Sequence, residues 1–226
     1  GVDGIFDNGD DSVITAITAA DGEWFVSGLP LGASQFYRIS VPATLSGMTV
    51  TDAVDNGTLN LSATSTITLT GVDAATTNNR IQDFGYRGTA SLGDRVYVDA
   101  DGDGVQDLNG LEPSLPGVEV VLTWGGLDGI VGGGNAADDL TFTVTSTAAA
   151  GTGPNYLFSN LPAGNYTVAV ATAGADVNGD PLPGGVPLNS VLTDSVNDGT
   201  LDATGTVAAT LTTGQNATQY DFGFQG

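Results

Sequence analysis

Lysine, histidine and cysteine are absent from this 226-residue chain, and each absence excludes a class of chemistry. Without cysteine the chain forms no disulfide bond, and without histidine or cysteine it lacks the usual nitrogen and sulfur ligands of zinc and copper. Without lysine it can form neither a Schiff base nor an internal Lys-Asn isopeptide bond. Ser-His and Cys-His pairs and a phosphate-binding Gly-Lys-Ser/Thr motif cannot be built either. We therefore expect a protein that is not an enzyme.

Positive charge is also scarce. The chain has 26 acidic residues and four basic ones, which gives a formal net charge of -22. Glutamate occurs only three times, so most of the acid is aspartate, which favours turns and oxygen-ligand loops over helix interiors. The four cations are Arg38, Arg80, Arg87 and Arg95. Such a surface repels nucleic acid and anionic membranes, so we expect cations or basic surfaces as partners.

Long apolar runs are missing as well. No stretch of about eighteen apolar residues occurs, and the sequence therefore predicts no membrane-spanning helix. The chain opens at Gly1 without a methionine or a charged and then apolar leader, so we interpret it as a processed product or a fragment. With 40% hydrophobic residues it can nevertheless bury a core.

Internal repetition divides the chain into two similar parts. The segment "GEWFVSGLP" resembles "NYLFSNLP", "DNGTL" resembles "NDGTL", and the closing "QDFGYRG" resembles "YDFGFQG". We therefore predict two modules, residues 1–88 and residues 89–226. The first lacks a counterpart of residues 89–125, so within this chain it lacks its opening strands.

Hydrophobic residues inside both modules recur with a period of two. Val118, Val120, Leu122 and Trp124 alternate with Glu119, Val121 and Thr123, and no stretch has convincing helical periodicity. Most of these runs are short and are followed by glycine, proline, asparagine or aspartate. The pattern predicts an all-β protein made of two tandem immunoglobulin-like β-sandwiches of Greek-key type.

The stretch "DADGDGVQD", residues 99–107, concentrates four aspartates in nine residues. Alternating positions let Asp99, Asp101 and Asp103 converge, while Gly102 and Gly104 allow the backbone to curl and the Val105 carbonyl can add an oxygen ligand. Hard oxygen ligands in a flexible loop favour Ca²⁺. An EF-hand is excluded because the twelfth position is glycine and the preceding segment has a strand pattern. The alternative is a solvated acidic turn without an ion.

The stretch "SLGDRVYVDADGDGVQDLNGLEPSLPGVEVVLTW" resembles the opening of the B-type domains of serine-aspartate repeat surface adhesins. The later "YLFSNLPAGNYTVAV" and "TTGQNATQYDFGF" are similar to the remaining strands of that family. The resemblance implies calcium-binding stalk or adhesive modules displayed outside the cell. By position it assigns the metal-binding loop to Asp99, Asp101, Asp103 and Asp107, with Glu112 as a further ligand.

Three other acidic segments are candidates for a second ion. Each also fits an ordinary turn, because Asn-Gly and Asp-Gly pairs are common turn formers. The candidate ligands in them are Asp176, Asn178 and Asp180, then Asp194 and Asp198, and finally Asp7 and Asp10.

These observations favour an extracellular or cell-surface structural module, made rigid by calcium and belonging to an adhesin, stalk or filament. Its expected partners are neighbouring modules or subunits of the same protein, and a host or surface ligand. The alternative is a carbohydrate-binding or ligand-binding accessory module of a secreted multidomain protein. The incomplete first module predicts that strands are supplied either by a longer chain or by a neighbouring subunit in trans.

Overall fold

The computed structural model describes residues 3–19, 22–33, 35–52, 62–69, 79–107, 111–149, 153–170, 190–194 and 204–226. Within these ranges the chain forms strands and no helix, so no helix is present there that could cross a membrane. The predicted all-β fold is confirmed. The strands are β1 (Phe36–Ser40), β2 (Thr44–Leu45), β3 (Met48–Asp52), β4 (Thr64–Thr68), β5 (Gly85–Arg87), β6 (Ala90–Asp94), β7 (Val96–Val98), β8 (Glu119–Trp124), β9 (Leu140–Thr145), β10 (Tyr156–Leu161), β11 (Gly164–Val170), β12 (Val191–Asp194), β13 (Thr206–Leu211), β14 (Asn216–Ala217) and β15 (Phe222–Gln225).

The chain separates into two compact units. Unit 1 comprises Gly1–Leu45 and Thr49–Tyr86, and unit 2 comprises Ser46–Met48 and Arg87–Gly226. In the first part of the chain β1 pairs with β4, while β2, β3 and β5 form a three-stranded sheet. That each unit is an independent module, with a boundary between residues 88 and 89, stays a prediction.

Unit 2 contains a four-stranded antiparallel sheet with the order β13-β11-β8-β9. Two three-stranded sheets, β10-β6-β14 and β12-β15-β7, complete its sandwich. The predicted alternation is evident in β8, where Val120, Leu122 and Trp124 are buried and the residues between them are only partly buried. Branched and aromatic side chains favour this half-buried, pleated surface, which explains why the valine-rich and threonine-rich runs become strands.

One hydrophobic core joins the three sheets of unit 2. Leu92 of β6, Val120 of β8, Val168 of β11 and Phe222 of β15 are all fully buried in it. Burying one such side chain contributes about 1.5 to 3 kcal/mol to folding. The core therefore holds β7 and β15 in place, and the acidic loop begins directly after β7.

Unit 1 buries its strands less completely. In β1 the side chains alternate between exposed and half-buried, with Tyr37 and Ile39 half-buried. In the described part of this unit, Val50 and Leu69 are buried apolar side chains. No strand forms in the described residues before Phe36, so the segment 12–19, which contains Val13 and Ile17, is not part of a sheet.

Candidate metal centre

The acidic loop begins directly after β7, which is held on both sides. The Asp99 amide donates to the Phe224 carbonyl of the parallel strand β15 at 2.8 Å. On the other side the Val98 amide donates to the Pro113 carbonyl at 3.0 Å, so the two ends of the loop lie next to each other. The Asn155 side chain adds two 2.8 Å hydrogen bonds to the backbone of Val96. The loop is thus anchored to the sandwich at both ends.

The loop turns around the carboxylate of Asp99. This carboxylate accepts hydrogen bonds from the amide of Gly102 at 2.8 Å and from that of Gly104 at 3.3 Å. Both glycines have φ of 76°, in the left-handed region that residues with a Cβ seldom adopt. The expected role of the two glycines in curling the loop is therefore confirmed by their conformation.

The structure brings three of the predicted ligands together. Carboxylate oxygens of Asp99, Asp101 and Asp103 all lie within 4.8 Å of one another. Asp99 is fully buried, whereas the other two are exposed. At this separation each pair of charges repels by about 1 kcal/mol in water and by about 3 kcal/mol at an effective dielectric constant near 20. A cation at this point would remove that repulsion.

Glu112 and Asp107 occupy other places around the loop. The buried carboxylate of Glu112 accepts hydrogen bonds from the amides of Ala100 at 2.8 Å and Asp107 at 2.6 Å, and so it braces both halves of the loop. In the described ranges neither Glu112 nor Asp107 belongs to the group of converging carboxylates. Val105 is exposed, and its amide donates to Asp103 at 2.9 Å. Their predicted roles as ligands stay predictions.

Sequence reasoning missed two residues that lie against this loop. The Thr193 hydroxyl of β12 donates to the carboxylate of Asp99 and also lies 3.0 Å from the Gly223 carbonyl. The Tyr97 side chain is fully buried, and its hydroxyl has no hydrogen-bond partner among the described residues. The only signal for Thr193 in the sequence was its place beside the candidate ligand Asp194. The sequence shows Tyr97 as the aromatic residue before the loop, but it gives no sign that carboxylates surround its hydroxyl.

The surroundings of Tyr97 are strongly acidic. Burial is the main cause that raises the pKa of its hydroxyl well above the usual range. Four carboxylates raise the pKa further, in the order Asp99, Asp194, Asp221 and Glu112. The buried side of the loop therefore carries a concentrated negative potential, in addition to the exposed charges of the loop itself.

Among the candidates for a second ion, Asp194 lies in unit 2, beside a residue that contacts the loop. It ends β12, is fully buried and follows Thr193, the residue that contacts Asp99. Asp194 and Asp99 both act electrostatically on Tyr97. Asp176, Asn178, Asp180 and Asp198 lie outside the described residues.

The remaining candidates, Asp7 and Asp10, are exposed residues of unit 1. Asp7 accepts two hydrogen bonds from the guanidinium of Arg38, and this contact lowers the pKa of its carboxyl. The carboxylate of Asp11 accepts the amide of Asn8 at 3.2 Å. In this structure Asp7 thus already has a positive counter-charge, and a metal site there stays a prediction.

The donor set at residues 99–103 consists of carboxylates and suits a hard cation. Calcium binds six to eight oxygen ligands in flexible geometry, which fits a loop with two exposed aspartates and a buried one. Magnesium requires stricter octahedral geometry, and soft metals prefer nitrogen and sulfur. The residues present therefore fit calcium.

A family model described as the SdrD B-like domain matches residues 90–224, more than half of the chain. Serine-aspartate repeat-containing protein D of Staphylococcus aureus strain Newman is 28% identical over 173 residues, which cover 74% of this chain and 11% of that protein. The homologues of strains MW2 and NCTC 8325 give the same identity and coverage. This chain thus spans about a tenth of the length of these relatives. The chain belongs to the SdrD B-like domain family.

Proposed function

We propose that unit 2 is a calcium-stabilised structural module of a cell-surface adhesin, stalk or filament, with no enzymatic role. The observation that carries the proposal is the convergence of Asp99, Asp101 and Asp103 on a loop anchored in the sandwich core. Membership of the SdrD B-like family supports it, as does the similarity to serine-aspartate repeat proteins of Staphylococcus aureus.

Asp99, Asp101 and Asp103 would hold the ion, and the ion would supply the positive charge that this loop lacks. Glu112 and Thr193 would act as positioning residues, since the first braces the loop and the second orients Asp99. Because ions bind the folded loop far better than the unfolded chain, binding stabilises the fold. The chain contains no cysteine and no lysine, so metal binding takes the place of covalent cross-links.

The test is thermal unfolding of the whole chain with calcium and with EGTA. At dissociation constants of about 10⁻⁴ to 10⁻³ M, about 2 mM calcium would stabilise the protein by about 0.6 to 1.8 kcal/mol. Asp101→Asn should remove this gain, and the control Asp128→Asn, at an exposed aspartate that is not one of the converging carboxylates, should retain it. Equal melting temperatures of the wild type with and without calcium would refute the proposal.

The proposal includes assembly in series with neighbouring modules or subunits of the same kind, by completion of sheets. Half-buried core positions of unit 1, such as Tyr37 and Ile39, support this part. A surface ligand is compatible with the proposal, but no described feature selects its chemistry.

The aromatic residues give no support to a carbohydrate-binding role. A sugar-binding face requires tryptophan or tyrosine side chains side by side in the open. Both tryptophans and all six tyrosines lie in the described ranges, and each is buried or half-buried. Trp124 belongs to the core, and the Trp24 indole donates to the Gln82 carbonyl at 3.2 Å.

A further inference from the structure

The same kind of hydrogen bond occurs once in each unit, and it shows which strands of the two units correspond. The Tyr166 hydroxyl of β11 donates to the carbonyl of Pro162 at 2.6 Å, and the Tyr37 hydroxyl of β1 donates to that of Pro30 at 2.5 Å. In both units this proline follows a leucine, and it lies two residues before β11 and six residues before β1. β1 is therefore the counterpart of β11.

β1 and β11 have corresponding neighbour strands on one edge, but on the other edge only β11 has a neighbour among the described strands. β11 pairs on one edge with β13 and on the other with β8. β1 pairs on one edge with β4, the counterpart of β13, with Tyr37 opposite Ile67 as Tyr166 is opposite Ala209. Among the described strands none pairs with the second edge of β1.

Burial at this edge reflects the missing neighbour. Tyr166 and Val168 of β11 are 1% and 0% exposed, whereas their counterparts Tyr37 and Ile39 are only half-buried. The segment 12–19 is apolar and outside any sheet, with Val13 91% exposed. In unit 2 the strand at the corresponding place in the sequence, β9, lies along the far edge of β8. Among its described residues, unit 1 thus has counterparts of β9 and β11 but no counterpart of β8, the strand that lies between them in unit 2.

We propose that the free edge of β1 is the docking site for one extended strand with the sequence character of β8. The strand would run antiparallel to β1, as β8 runs along β11. In that register an aromatic residue lies opposite Tyr37, a leucine opposite Ile39 and a valine opposite Val41, just as Trp124, Leu122 and Val120 lie opposite Tyr166, Val168 and Val170. The pairing of β8 with β11 in unit 2 therefore shows how the docked strand would pair with β1 in unit 1.

The strand comes from a partner segment with the sequence character of β8, and not from β8 of a second copy of this chain. In the described part of a second copy of the chain the matching strand is β8, and that strand is hydrogen-bonded on both edges, to β11 and to β9. Val120 and Leu122 are fully buried in the core of unit 2, so donating β8 would dismantle that core. This inference deepens the assembly part of the proposed function and does not depend on calcium.

The cysteine-free chain allows a direct cross-linking test. The variant Ile39→Cys is mixed with a synthetic peptide of residues 116–126 that carries Leu122→Cys, in a glutathione redox buffer with EGTA. Directly opposite residues of antiparallel strands have the Cα separation that a disulfide requires. The peptide should cross-link, whereas a control peptide with Thr123→Cys, whose thiol faces the other side of the strand, should not.

Hydrogen exchange on the wild-type chain provides a second measurement that needs no substitution. With free unmodified peptide at about ten times its dissociation constant, amides of Phe36–Ser40 that do not pair with β4 should exchange about tenfold more slowly. Equal cross-linking of both peptides, or no protection at millimolar peptide, would refute the docking site. Concentration-dependent dimers that protect Phe36–Ser40 without peptide would refute the proposed source. The calcium proposal is judged separately, by the melting temperature with and without EGTA.

Discussion

The hydroxyl of Thr193 donates a hydrogen bond to the carboxylate of Asp99, a residue 94 positions earlier in the chain. This bond joins the acidic loop after β7 to the end of β12. The same hydroxyl lies 3.0 Å from the carbonyl of Gly223 in β15, the strand between them. The loop is therefore coupled to a whole sheet of unit 2.

Thr193→Val should destabilise the chain by about 1 to 3 kcal/mol, because it leaves Oδ2 of the buried Asp99 carboxylate with only the 3.3 Å hydrogen bond from the Gly104 amide. Chemical denaturation in EGTA measures this. Thr143→Val, on the exposed face of β9, is the matched control and should change stability by less than about 0.5 kcal/mol. Equal effects of the two substitutions would contradict the role assigned to Thr193.

Asp99 and Asp101 should respond oppositely in the absence of calcium. Asp99→Asn should lower stability in EGTA, because the charged acceptor of three hydrogen bonds is replaced by a neutral side chain with one oxygen. Asp101→Asn should raise it by about 2 kcal/mol, since its repulsions with Asp99 and Asp103 are both removed and it accepts none of these three hydrogen bonds. Calcium titration by calorimetry should show weaker binding for both. A stabilised Asp99→Asn would contradict the geometry.

Gly102→Ala should cost about 1 to 2 kcal/mol, because alanine must adopt φ of 76° there. The added Cβ would also approach the side-chain amide of Gln225 to 3.0 Å. Gly153→Ala is the control, since a Cβ at this position meets nothing within 4 Å and no left-handed φ is required. Urea denaturation of both variants measures the difference, and equal stabilities would show that the turn tolerates a side chain.

Stability should fall as the pH rises above about 10. Burial holds the pKa of Tyr97 and Tyr156 above the ordinary value of 10.0, so the unfolded chain loses these protons first. Their contribution is fully present below about pH 10 and decreases at higher pH. Denaturation at pH 9 and pH 11 tests this, and Tyr97→Phe should reduce the loss. Tyrosinate absorbance that rises normally for all six tyrosines in the folded protein would contradict it.

The strand pattern of unit 2 is accessible from the sequence because apolar residues recur at every second position of its strands. Val120, Leu122 and Trp124 were predicted to face inward, and all three are buried. Gly102 and Gly104 likewise indicate from the sequence alone that the loop curls, and both have a φ of 76°. Local spacing carries this information, because a strand and a tight turn are determined by neighbouring residues.

Long-range contacts were not accessible in the same way. Nothing near Asp99 in the sequence indicates Thr193, since their proximity arises from the sheet order β12-β15-β7. Arg38 similarly meets Asp7 across 31 residues, and spacing alone suggested a metal ligand there. Glu112 was identified by resemblance, yet its hydrogen bonds to Ala100 and Asp107 depend on how the loop closes on itself.

The parallel pairing of β7 with β15 has a mechanical consequence. Val96–Val98 lies near the start of the stretch Arg87–Gly226 of unit 2 and Phe222–Gln225 near its end, and the two strands run side by side in the same direction. Tension applied to the two ends of this unit would slide one strand along the other, so their hydrogen bonds must rupture together instead of opening one at a time. We therefore expect unit 2 to resist stretching along this direction.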